Sequence, residues 1–71
     1  MSMDITAPMP GKIASIPMSV GSKVTEDDEV IIMDAMKMEI PVYATGSGTL
    51  KEFKVKVGDS VTEGQVLAII E

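Results

Sequence analysis

The sequence contains its own copy. At an offset of 37 residues, Ala7 falls on Ala44, Gly11 on Gly48, Val20 on Val57, Gly21 on Gly58, Val24 on Val61, Thr25 on Thr62 and Glu26 on Glu63. Apolar pairs fill the intervals: Ile5 with Val42, Ile13 with Leu50, Ile16 with Phe53, Met18 with Val55, Val30 with Leu67 and Ile32 with Ile69. Asp34 falls on Glu71. A unit this short cannot bury an apolar face by itself, so one half, residues 2–34, must pack on the other, 39–71, about a pseudo-twofold axis.

Within each half the apolar period is two. Ile16, Met18 and Val20 alternate with Pro17 and Ser19, and Phe53, Val55 and Val57 alternate with Lys54 and Lys56. That spacing predicts half-buried strands over 16–20 and 53–57. Turn signals follow at "VGSKVTEDD" and "VGDSVTEGQ", then dense β-branched runs, "EVIIM" and "QVLAII", predict further strands, with Ile32 in the core. The stretches "APMPGKI" and "ATGSGTL" read as matching loops. A helix over 25–40 has some support, since Thr25 and Asp28 have a weak capping-box spacing. Its copy, "TEGQVLAII", carries an early glycine and then β-formers, and Pro41 stands just beyond. The expected fold is all-β, a flattened barrel or sandwich of two four-stranded sheets.

At 71 residues the chain makes one domain, 1–71, near the small end for independent folding. With neither Cys nor His, no disulfide or ordinary zinc site can hold it together, so an aliphatic core must. The formal net charge of −5 argues against nucleic acid as a partner. The run Glu26-Asp27-Asp28-Glu29 reads as a solvated turn. No secretory leader and no apolar run of membrane length is recognised, and the expected location is the cytoplasm, or an organelle matrix for a piece of a larger eukaryotic protein.

Between the two copies lie four residues, Ala35-Met36-Lys37-Met38. They read as a tight connection between strands, with Lys37 exposed at its tip. For Met38, packing and partner contact stay equally open, while Met36 reads as a contact.

The junction resembles the attachment signature of biotinyl (biotin carboxyl carrier) domains, Glu-Ala-Met-Lys-Met, here Asp34-Ala35-Met36-Lys37-Met38. "APMPGKI" is similar to that family's first loop, and "VGSKVTEDDEVIIM" and "VGDSVTEGQVLAIIE" to its repeated segment, so the resemblance covers nearly the whole chain. It implies that Lys37 receives biotin in amide linkage from a separate biotin protein ligase, with Asp34, Ala35, Met36 and Met38 read by that ligase or other partners. It further implies a carrier without catalytic residues or metal, monomeric in isolation and without membrane contact. Its partners would be biotin carboxylase and carboxyltransferase or decarboxylase subunits. The chain departs from the pattern at Asp34, at Ile40-Pro41, and at Asp27-Asp28 where the second copy keeps Gly64-Gln65. Ile13 to Gly21 has the spacing of Leu50 to Gly58, which leaves no room for the protruding thumb of some biotinyl domains.

Two rivals stand beside this reading. Lipoyl domains share the fold and the repeat but flank their lysine with acidic or small residues, whereas this chain has methionine on both sides. The fold could also serve as an unmodified interaction module.

Overall fold

A computed structural model describes residues 2–71. It contains eight strands and, among the described residues, no helix: β1 (Met3–Thr6), β2 (Gly11–Ser15), β3 (Lys23–Val24), β4 (Glu29–Ala35), β5 (Met38–Tyr43), β6 (Gly48–Phe53), β7 (Ser60–Val61) and β8 (Val66–Ile70). They form two four-stranded sheets, ordered β1-β8-β6-β3 and β5-β4-β2-β7, with the paired strands antiparallel. The 37-residue offset carries β1 to β5, β2 to β6, β3 to β7 and β4 to β8, and so turns the first sheet into the second. Register follows: Met3 pairs with Ile70 as Ile40 pairs with Met33, and Ile5 with Ala68 as Val42 with Ile31. The two halves are interleaved, each sheet taking two strands from either half.

The core lies between the sheets and is aliphatic, with Ile5, Ile13, Val24, Val30, Ile31, Met33, Leu50, Leu67, Ala68 and Ile70 almost wholly removed from water. No charged or polar side chain is buried among the described residues. Removal of that much aliphatic surface from water is the driving force available to a chain with no covalent staple.

Three expectations need correction. Ile32 is half-buried, not core. The register shifts between Glu29 and Ile31, so Val30 and Ile31 both face inward and the alternation resumes one residue out of phase, with Met33 inward and Ile32 outward. The second half repeats this, with Leu67 and Ala68 buried and Ile69 half-buried.

The predicted strands at 16–20 and 53–57 do not form: β2 ends at Ser15 and β6 at Phe53. These segments carry the chain from one sheet to the other. Ile16, Met18 and Phe53 pack on the core and Val55 is buried, but Val20 and Val57 are 60% and 61% exposed. Burial alternates there without a ladder, because the chain is changing sheets and its bonds run across the crossover, as from Gly21 N–H to Leu50 C=O at 2.8 Å.

The stretches read as loops are also partly strand, since β2 begins at Gly11 and β6 at Gly48. Close packing explains the glycines. A Cβ on Gly11 would stand 2.8 Å from the Asp34 carbonyl oxygen, and one on Gly48 2.7 Å from that of Glu71.

The capping-box spacing does exist, put to another use. The Asp28 carboxylate accepts from Thr25 N–H at 2.9 Å, and the Gln65 amide oxygen accepts from Thr62 N–H at 3.1 Å. Each closes a turn between strands. In these turns Asp27 takes φ 75° where its counterpart Gly64 takes 83°, so the first half holds an aspartate in a conformation that suits glycine.

Candidate functional site

The β4–β5 hairpin presents Lys37. Ala35 pairs with Met38, which leaves only Met36 and Lys37 in the turn. Both have positive φ, 53° and 65°, the pattern of a type I′ turn, whose twist matches that of the strands it joins. Such turns prefer Asn-Gly. Holding two residues with Cβ atoms there costs on the order of 1 kcal/mol each, a cost the paired strands sustain. The junction is thus tighter than the four-residue connection expected, because Ala35 and Met38 belong to the strands.

Below the turn the hairpin is anchored. Ala35 is 3% exposed, and a Cβ on Gly11 would stand 3.0 Å from its own Cβ. Sequence reasoning matched Gly11 to Gly48 but gave it no part in the site. Its signal was the repeat itself, which keeps glycine where β2 runs beside the end of β4. Ala35 therefore meets Gly11, and its side chain is buried at the foot of the turn.

Around this anchor the other side chains are exposed: Asp34, Met36, Lys37, Met38 and Glu39. Met36 is 85% exposed and Met38 63%. Core packing of Met38, one of two roles left open for it, is not what the structure shows. Although it lies opposite buried Ala35, it stands at the end of edge strand β5, beyond the reach of the core. Pro41 occupies the same edge strand, where its missing N–H is tolerated.

Asp34 lies across from Glu39 on one side and Lys12 on the other, a row of charges just below the turn. Among the described residues no hydrogen bond or ion pair engages the Lys37 side chain; the ion pairs are Lys51–Glu71 and Lys54–Glu52. No cluster of acidic side chains with metal-binding geometry and no cavity is found there either. The arrangement holds out a primary amine on a two-residue apex, with no side chain among the described residues bonded to it.

The family model described as "Biotin-requiring enzyme", of the biotin/lipoyl type, matches residues 3–70. The chain belongs to the biotin/lipoyl family. Within that family it is 42% identical over 65 residues to the "Biotin/lipoyl attachment protein" of Bacillus subtilis, covering 92% of this chain and 89% of that one. It is 31% identical to the "Biotinylated protein TB7.3 homolog" of Mycobacterium leprae, over 99% of each chain. Among solved structures, the Kluyveromyces lactis urea carboxylase contains a region superimposing with a TM-score of 0.95 at 34% identity, covering all of this chain and 6% of the enzyme. The biotin/lipoyl domain is therefore nearly the whole of some relatives and a small part of others.

Proposed function

We propose that Lys37 is the biotin acceptor and that the chain is a carboxyl carrier serving biotin-dependent enzymes. The observation that carries this is the apex: an exposed lysine between two exposed methionines on a type I′ turn, in a member of the biotin/lipoyl family. The chain is not itself an enzyme, and the chemistry of loading comes from outside. A lysine amine is protonated near neutral pH and must lose a proton before it attacks an activated acyl group. Asp34 is exposed and sits in a strand below the turn, a poor base for that proton. A biotin protein ligase supplies the base and the activated biotin, and the amide forms as the activating group leaves.

When attached, biotin supplies a ring that accepts a carboxyl group at one enzyme's site, from ATP-driven chemistry or an acyl donor, and yields it at another. The chain's own residues supply position. Gly11 and Ala35 fix the base of the hairpin, so the arm's motion begins at Lys37 and not in the backbone. A mobile arm on a fixed point raises the local concentration of the ring at both sites. Met36 and Met38 offer soft apolar contact that partners of different shape can use. The partners are biotin carboxylase and carboxyltransferase or decarboxylase subunits, the carrier acts as a monomer, and its place is the cytoplasm or an organelle matrix.

Incubation with biotin ligase, biotin and ATP should add one biotin by intact mass and give streptavidin binding, both absent in Lys37→Ala. Loading by lipoate ligase and not by biotin ligase would replace the biotin reading with the lipoyl one. Refusal by both ligases would point to an unmodified interaction module.

A further inference from the structure

Seven methionines occur in the sequence, and the exposure of the six among the described residues is sharply divided. Met33 is wholly buried, and Met3, Met9 and Met18 are half-buried. Among the described residues only Met36 and Met38 are exposed, at 85% and 63%. The chain has no cysteine, so no thiolate of its own intercepts an oxidant first. Among the described residues, therefore, the two most accessible sulfurs stand on either side of Lys37.

We propose that Met36 and Met38 form a reversible oxidation site, and that converting their thioethers to sulfoxides by a hydroperoxide closes Lys37 to the ligase. The second clause rests on the biotin reading; the first does not.

The chemistry is a two-electron oxygen transfer. A sulfur lone pair attacks a peroxide oxygen, the S–O bond forms as the O–O bond breaks, and the peroxide departs as water or an alcohol. The way back is reduction by a dithiol-dependent methionine sulfoxide reductase: the oxygen leaves as water and the dithiol becomes a disulfide, one enzyme acting on each sulfoxide epimer.

The consequence for recognition follows from the surroundings. Asp34 and Glu39, the residues next to this turn segment, are charged, so the two methionines are the apolar surface flanking the amine. A sulfoxide makes that surface polar and chiral, and removes the soft contact a partner would use. Because neither side chain is packed into the core, the fold is unaffected. At Met33 the same oxygen would have to enter the core.

The test begins with apo protein treated with hydrogen peroxide at low molar excess, followed by peptide mass spectrometry. Oxygen should appear at Met36 and Met38 before Met3, Met9, Met18 or Met33, with an unchanged far-UV spectrum. Biotin ligase should then load the oxidised protein at least tenfold more slowly than untreated protein, and a mixture of both sulfoxide reductases should restore the rate. A Met36→Leu, Met38→Leu double variant is compared with itself: peroxide should not alter its own loading rate. First oxidation at Met3, Met9, Met18 or Met33, or undiminished loading of protein carrying both sulfoxides, would sink the proposal. If untreated protein takes no biotin, the carrier reading fails, while the order of oxidation still decides whether the site exists.

Discussion

The β4–β5 ladder and the β8–β1 ladder are the same construction in two places. Met33 faces Ile40 in one as Ile70 faces Met3 in the other, and both carry a shift at the same point. Inward positions keep their character: Ile31 and Met33 correspond to buried Ala68 and Ile70. Outward positions do not. Ile32 opposite Pro41 becomes Ile69 opposite Asp4, and Glu29 opposite Tyr43 becomes Val66 opposite Thr6. Only the first ladder ends in a two-residue turn, and only that turn carries an exposed lysine between two methionines. What both copies hold in common belongs to folding; where they part, folding has left the sequence free for other uses.

Substitutions at paired positions can break or sharpen that comparison. The largest effect belongs to the shifted register. Ile31→Ala should cost on the order of 2–5 kcal/mol in a denaturant titration, and Ile32→Ala less than half as much. Equal losses would mean that the register shift does not set which isoleucine is core. Next come the glycines under the strand ends. Gly11→Ala and Gly48→Ala should each lose about 1–3 kcal/mol, since a methyl group would meet backbone that has nowhere to go. A neutral Gly11→Ala would show that the hairpin base is not tightly held.

Smaller effects are expected where only backbone conformation is at issue. Gly64→Ala meets no atoms but keeps φ 83°, and should lose roughly 1 kcal/mol; Asp27→Gly, its counterpart, should gain a few tenths to about 1 kcal/mol. Changes of the same sign would deny that the two turns are equivalent. At the apex, Lys37→Ala should leave the melting temperature nearly unchanged, because both residues carry a Cβ at φ 65°, while Lys37→Gly should raise it slightly.

Smallest is the Lys51–Glu71 pair, 2.8 Å apart at the surface. The hydrogen bond from Lys51, and then its charge, lowers the Glu71 carboxyl pKa, and Glu71 raises that of Lys51 in the same way. The pair's contribution should be complete at neutral pH. It should fade as pH falls through the lowered carboxyl pKa, and again as pH rises through the raised ammonium pKa. Glu71→Gln should flatten this weak dependence without shifting the denaturation midpoint at high salt.

The repeat made most of the architecture legible. Eight identities at one offset marked the two halves and the position of the junction, and the junction gave Lys37 its exposure. The register shift left no such trace. In "EVIIM" every position after the glutamate is apolar, so a one-residue change of phase moves no polar side chain to a place that would betray it. The crossovers misled for the opposite reason. Ile16, Met18 and Val55 alternate with polar neighbours as a strand would, but their alternation comes from skirting the core on the way between sheets. Met38 was ambiguous because ladder position predicts facing, not whether the core extends far enough to cover it. The contact between Gly11 and the hairpin is tertiary, and no local pattern announces it.

The interleaving of the halves bears on when this protein can be made ready for use. Of the first four strands only β2 and β4 bond to one another; β1 and β3 wait for β8 and β6, and β4 waits for β5 on its other side. During synthesis, then, the lysine joins the chain before β5 to β8 exist, and those strands are half of each sheet. A chain broken off early carries the lysine and its methionines without the raised apex. An enzyme that reads the apex, and not the tetrapeptide alone, thereby spends its cofactor only on finished molecules.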